Sequence, residues 1–140
     1  MLNEETKKEL IRKAFEMLKY SYTPYSKFKV GAGLLSADGK IYGGCNIENA
    51  GYSATNCAER TAFFKAVSEG VTDFTAIAVV GGLDGLVKDY CAPCGVCRQV
   101  MMEFCNADTF IILVAKSEDD YKEMTLKEML PFGFGPDNLA

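Results

Sequence analysis

Two short apolar runs constrain the fold more than any other feature of the chain. Residues 74–80 (Phe-Thr-Ala-Ile-Ala-Val-Val) and 109–115 (Thr-Phe-Ile-Ile-Leu-Val-Ala) are nearly continuous in apolar side chains. A strand with one face in water alternates polar and apolar residues, whereas a strand covered on both faces does not. Both runs are therefore expected to be buried strands. A helix over about 94–105 separates them, which makes a β-α-β unit. A second helix, over about 57–69, precedes the first run; Ala62, Phe63, Ala66 and Val67 give it an apolar face, and Gly70 stops it. The spacing of Leu10, Ile11, Ala14, Phe15 and Leu18 predicts an opening helix over 4–20, capped by Asn3. Strands are expected at 28–36 and 40–45, joined through an Asp38-Gly39 turn. A polar loop spans 46–56, a Gly- and Asp-rich loop 81–92, and a weak strand 121–124. Thr125 and Glu128 form a capping-box pattern for a short last helix. The order α-β-β-α-β-α-β-(β)-α predicts an α/β fold with a central mixed sheet and helices on both faces. The 140 residues fit a single domain, 1–140, without linker or repeat.

Composition narrows the chemistry. There is no histidine. Ser-His-Asp and Cys-His nucleophile pairs are thereby excluded, as is every zinc site that uses His. Any metal must be held by Cys, Asp or Glu, and any general acid or base must be Asp, Glu, Lys, Tyr or Cys. The net charge of −4 and the absence of a basic run argue against a nucleic-acid partner. No apolar stretch approaches the roughly 18–20 residues of a membrane span. The N-terminus, Met1-Leu2-Asn3-Glu4-Glu5, does not read as a signal peptide. A cytoplasmic location is therefore expected, in which the six cysteines serve as thiols, metal ligands or catalytic groups rather than as disulfides.

Three of those cysteines stand in two motifs, Cys57-Ala58-Glu59-Arg60 and Pro93-Cys94-Gly95-Val96-Cys97-Arg98. Each opens a predicted helix, where free N–H groups and partial positive charge favour thiolate. Cys94 and Cys97, three apart, face the same way on one helical turn. Such a pair suits zinc, and Cys57 is the best third ligand. Three protein ligands leave a fourth position for water, the pattern of a catalytic rather than a structural site. Glu59, two residues beyond Cys57, can reach that water and take its proton without ligating the metal. Three thiolates weaken the Lewis acidity of the ion, so donors to sulfur are expected; Arg60 is assigned this task, and Arg98 is also placed for it. The alternatives are a redox dithiol, a structural zinc site, or Cys91 as a fourth ligand that closes the site. Cys45, Cys91 and Cys105 have no motif and otherwise read as small buried hydrophobes.

Together these residues resemble the zinc-dependent nucleoside deaminases, in their three-cysteine variant. The likeness runs from about residue 8 to the C-terminus and is similar in pattern to the short homotetrameric cytidine deaminases. It includes Tyr25-Ser26-Lys27-Phe28-Lys29-Val30-Gly31-Ala32, Gly44-Cys45-Asn46-Ile47-Glu48-Asn49-Ala50, Asn56 to Ala62, Leu130-Pro131 and a Phe-x-Pro tail. The resemblance implies a three-layer α/β/α sandwich of the cytidine-deaminase type with a five-stranded mixed sheet. It implies one zinc per subunit on Cys57, Cys94 and Cys97, with Glu59 as proton shuttle. Phe28 is implied to stack on the pyrimidine, Asn46 and Glu48 to bond the ribose, and the backbone near Ala58 to meet the ring edge. Tyr52 and Phe134, with Phe132 as the other candidate in the tail, are implied to complete a neighbouring subunit's site. The implied reaction is hydrolytic deamination of cytidine and deoxycytidine in pyrimidine salvage. Deamination of a modified cytosine nucleoside such as blasticidin S is the nearest rival; nucleic-acid editing and an inactive zinc-stabilised binding module are the more distant ones.

Overall fold

The computed structural model describes residues 2–140. Helix α1 (Glu4–Met17) is followed by strands β1 (Phe28–Ser36) and β2 (Ile41–Cys45), helix α2 (Ala58–Ser68), strand β3 (Phe74–Leu83), helix α3 (Gly95–Phe104), strands β4 (Ile111–Ser117) and β5 (Asp120–Thr125), and a short helix α4 (Leu126–Met129). The five strands form one mixed sheet in the order β2-β1-β3-β4-β5. β3 and β4 are parallel, with Ala76 opposite Ile111 and Val79 opposite Val114. Every other neighbouring pair is antiparallel. A parallel pair needs a crossover, and α3 supplies it.

The alternation along β3 explains the layers. Ala76, Ala78 and Val80 join Leu10, Ile11, Ala14 and Leu18 in one buried cluster. Ile77 and Val79 join Ala62, Phe63, Met101 and Leu126 in the other. Helix α1 thus covers one face, while α2, α3 and α4 cover the opposite one, giving the expected α/β/α sandwich. Two close approaches depend on glycine. A Cβ on Gly31 would lie 1.9 Å from the Ala14 carbonyl oxygen, and a Cβ on Gly44 would lie 2.3 Å from that of Ala58. The second contact seats the first turn of α2 directly on β2. At the outer edge of β2, Lys65 of α2 donates its ammonium to the Gly43 carbonyl. No described helix is long and apolar enough to cross a membrane.

Three boundaries differ from expectation. The opening helix is α-helical only to Met17 and tightens into a 3₁₀ turn over Leu18–Tyr20, the common way a helix end satisfies its last carbonyls. Strand β3 runs on through Gly81, Gly82 and Leu83, which the sequence assigned to a loop. These residues pair with Val30, Lys29 and Phe28 of β1. Their glycines are demanded by crowding and not by a turn: a Cβ on Gly82 would meet the Leu86 carbonyl oxygen at 2.0 Å. The weak strand is fully paired as β5, against β4 from Ile111–Thr125 to Ser117–Asp120. The predicted caps hold. Asn3 accepts from the Thr6 N–H at 2.9 Å, and Thr125 and Glu128 form the reciprocal capping box.

Candidate active site

Helices α2 and α3 begin side by side, although strand β1 separates β2 from β3 in the sheet. The loop between β2 and α2 makes this possible. Ile47 exchanges both of its backbone bonds with Asn56, while its neighbours Asn46 and Glu48 bond Tyr22 on the other side, so the polar stretch expected to be irregular is laced at both ends. Cys57 and Cys94 are the N-cap residues of α2 and α3, and neither forms a side-chain cap. The first-turn N–H groups of both helices are therefore left to stabilise negative charge on sulfur.

The Sγ atoms of Cys57, Cys94 and Cys97 all lie within 4.8 Å of one another, with Cys57 and Cys94 3.6 Å apart. A tetrahedral zinc ion with Zn–S bonds of about 2.3 Å needs sulfurs about 3.8 Å apart, so the three thiols fit that ion. Cys91 is outside this cluster. It lines the cavity wall instead, and burial pushes its thiol up to about 11. The cluster is already polarised. Hydrogen bonding from Cys97, then from Arg60 and Cys94, draws the Cys57 thiol down to about 5. Cys97 is pushed in the opposite direction, by its bond to the Cys57 thiolate and by burial.

Arg60 stands where a donor to sulfur is needed, its Nη2 donating to Cys57 Sγ at 3.3 Å. Arg98 does not. Its Nε donates to the Pro93 carbonyl at 2.8 Å and its Nη1 to the Met129 carbonyl at 2.6 Å. One residue of helix is about 100° of rotation, which turns Arg98 away from the sulfur of Cys97.

Glu59 is 3% exposed. Burial, opposed by its own backbone N–H and reinforced by the Cys57 charge, raises its carboxyl to about 7. Glu59, Cys57, Cys94, Ala58, Asn46 and Cys91 line one cavity of about 190 Å³. A neighbouring cavity of about 340 Å³ shares Thr55 with it and holds Glu48, Ser26 and Tyr52. The arrangement places a buried carboxyl of near-neutral pKa beside a soft-metal cluster, the pairing that general acid–base chemistry at an activated water requires.

The other expected site residues divide into two groups. Asn46 is near the cavity, but most of its side chain is already engaged. Its Oδ1 accepts from the Val30 N–H at 2.9 Å and from the Ser21 hydroxyl, while Nδ2 donates to the Phe28 carbonyl at 2.8 Å. Among the described residues Nδ2 makes no second hydrogen bond. Glu48 accepts at Oε1 from the N–H groups of Tyr25 and Ser26, at 3.0 and 3.1 Å, and the Ser26 hydroxyl donates to Oε2. The Ser26 hydroxyl, chiefly, holds this carboxyl below its usual range. Phe28 opens β1, is 41% exposed, and lines a third cavity with Cys91 and Gly81. Tyr52 is 84% exposed and borders its own chain's Glu48. Phe134 lies outside these cavities, with its carbonyl accepting from Gln99 Nε2 at 2.8 Å. Phe132 stands fully exposed with a positive φ of 57°. Sequence reasoning missed Val30 as a cavity wall, which strand alternation along β1 could have found; it placed Cys91 near the site through its nearness to Cys94, but as a ligand and not as a wall.

Comparison with known proteins identifies the family. A family model described as the cytidine and deoxycytidylate deaminase zinc-binding region matches residues 4–113. The chain is 51% identical over 132 residues to a cytidine deaminase of Sporosarcina psychrophila, covering 94% of this chain and 93% of that one. It is 49% identical over 130 residues to a cytidine deaminase of Halalkalibacterium halodurans, covering 93% and 95%. The crystal structure of cytidine deaminase from Burkholderia pseudomallei superposes with a TM-score of 0.81 at 43% identity, over 90% of this chain and 97% of that chain. On both sequence and fold, the chain belongs to the zinc-binding cytidine and deoxycytidylate deaminase family.

Proposed function

We propose that residues 1–140 act as a single deaminase domain, converting cytidine and deoxycytidine to uridine and deoxyuridine with release of ammonia. The observation that carries this reading is the buried Glu59 carboxyl beside three converging thiols, in one cavity with Asn46. Cys57, Cys94 and Cys97 would hold zinc, which would supply Lewis acidity toward water near neutral pH. The chain's own residues do the rest. Glu59 takes a proton from the attacking water and delivers it to the ring nitrogen next to the amine-bearing carbon. It then takes the second proton, from the hydroxyl now on that carbon, and gives it to the departing amine, so that the carbonyl of the product forms as the C–N bond breaks and ammonia leaves. A carboxyl near pKa 7 is suited to being base first and acid second. Arg60 donates to Cys57 and offsets the charge of three thiolates.

Phe28 stacks on the pyrimidine and the Ala58 backbone meets its edge. The free Nδ2 hydrogen of Asn46 and the pre-ionised Glu48 carboxylate take the ribose hydroxyls, and leaving these polar groups empty penalises free cytosine. Tyr52 and Phe134, both exposed, complete the site of a neighbouring copy in a homotetramer. The enzyme works in the cytoplasm, in pyrimidine salvage. Relatives about half identical over nearly the whole chain are named cytidine deaminase, which favours cytidine over a modified nucleoside such as blasticidin S.

The test is loss of cytidine ultraviolet absorbance with zinc-loaded protein, run beside Glu59→Ala and beside blasticidin S as substrate. Turnover of cytidine by wild type alone is the expected result. No turnover of cytidine, or faster turnover of blasticidin S, would refute the assignment.

A further inference from the structure

The tail that follows α4 is held to the fold by two successive residues of α3. Arg98 Nη1 donates to the Met129 carbonyl at 2.6 Å, at the root of the tail, and Gln99 Nε2 donates to the Phe134 carbonyl at 2.8 Å. Between these anchors Phe132 is forced into a left-handed backbone conformation, φ 57°, which a bulky residue adopts only when its surroundings impose it. The same guanidinium makes a second bond in the other direction. Its Nε donates to the carbonyl of Pro93 at 2.8 Å, one residue before Cys94. Cys94 in turn is the N-cap of α3, so the segment that carries one sulfur is fixed on one side by the helix and on the other by Arg98.

We infer that Arg98 is a positioning residue that couples the Cys94 segment to the C-terminal tail, so that metal occupancy and tail order rise and fall together. The inference rests on the reading of the three thiols as the zinc site. Geometry makes arginine specific here. Its planar fork sends two donors in fixed directions from one guanidinium to two separate carbonyls, which a lysine ammonium on a flexible stem does not reproduce. Reciprocity then follows from linkage: if tail order favours the arrangement that binds zinc, zinc must favour tail order by the same factor. The side-chain hydrogen bond of Gln99 goes to the tail and not to the Pro93–Cys94 segment, so Gln99 separates the two halves of the device.

The experiment uses the purified full-length protein loaded with zinc. Two quantities are read: the rate of zinc transfer to a chromogenic chelator, and amide hydrogen exchange at Leu130 and Gly135. Those two N–H groups are bonded to the Leu126 carbonyl and to Asn138 Oδ1. In wild type, stripping zinc should speed exchange at both positions about threefold or more, and no variant is needed to see it. Arg98→Ala should release zinc about tenfold to a hundredfold faster, the range for loss of an outer partner of a metal ligand, and its tail exchange should be raised and indifferent to zinc. Arg98→Lys should restore little of either property. Gln99→Ala should speed exchange at Gly135 while zinc release stays within twofold of wild type. Zinc release from Arg98→Ala within twofold of wild type, or wild-type tail exchange that ignores zinc, would overturn the coupling alone. Wild-type protein that takes up no zinc at all would overturn the coupling and the reading of the metal site together.

Discussion

Replacing Glu59 by glutamine should abolish deamination and, in protein stripped of metal, raise stability at pH 8. The carboxyl is held at about 7 against 4.5 for an ordinary glutamic acid, chiefly by burial. Ionising it in the fold therefore costs about 3 kcal/mol more than ionising it in the unfolded chain, at 1.36 kcal/mol per pKa unit. Glutamine removes that cost and adds a buried amide whose imperfect pairing returns about 1 kcal/mol. The net gain is about 2 kcal/mol, or roughly 6–8 °C in Tm for a chain of this size. The sign with pH follows from the raised pKa. Proton uptake stabilises the wild-type fold fully below about 4.5, and that contribution is lost as pH rises through about 7. The glutamine variant has no such dependence, so its advantage should be near zero at pH 5, grow through pH 6 and level off above pH 7.5. Urea denaturation in excess chelator at pH 5, 6, 7 and 8 measures it. An advantage of the same size at every pH, or a variant less stable than wild type at pH 8, would refute the claim that burial of this carboxylate is a cost carried for catalysis.

Arg60→Ala should raise the thiol titration of Cys57 from about 5, where hydrogen bonds from Cys97 and Arg60 help to hold it; thiolate absorbance against pH in chelator-stripped protein measures this, and unchanged zinc content together with unchanged turnover in the loaded protein would refute the assigned role. Glu48→Gln should raise KM for cytidine about tenfold, equivalent to about 1.4 kcal/mol, with kcat nearly unchanged. Equal losses in kcat and kcat/KM would instead place Glu48 in the chemical step. Gly44→Ala should cost about 2–3 kcal/mol or more by overpacking, because its Cβ falls 2.3 Å from the Ala58 carbonyl oxygen; chemical denaturation measures it, and zinc content should fall as the first turn of α2 lifts.

The strands buried on both faces, the βα order and the caps at Asn3 and Thr125 were legible because each rests on local chemistry: apolar runs, a turn residue, a hydroxyl three residues before a glutamate. The sulfur cluster was legible for the same reason, since helix starts and an i, i+3 spacing fix where thiols point. What local chemistry does not encode was misread. Gly81 and Gly82 look like turn residues until the neighbours that crowd them are known, Leu86 for one and Cys91 with Phe28 for the other. Arg98 looks like a partner for sulfur until Pro93 and Met129, five and 31 residues away, are seen to claim it. Asn46 reads as a ligand-binding side chain, and its bonds to Val30 and Phe28 show that it also fastens the start of β1.

The contact between Lys65 and Gly43 bears on how the protein survives at high concentration. The bonds from the Asn46 N–H to the Val30 carbonyl and from the Ser36 N–H to the Lys40 carbonyl fix the ladder phase, so that Ile41, Gly43 and Cys45 turn their backbone groups away from β1. They form an open row on which another extended chain could template. The opposite margin of the sheet is guarded by its own charges, Lys122 and Glu123 on β5, whereas β2 carries none between Ile41 and Cys45. A single ammonium reaching over from α2 occupies the middle of that row. Any change that neutralises it, whether substitution or acylation of the amine, strips the charge from the middle of that row and frees the Gly43 carbonyl for intermolecular β-pairing.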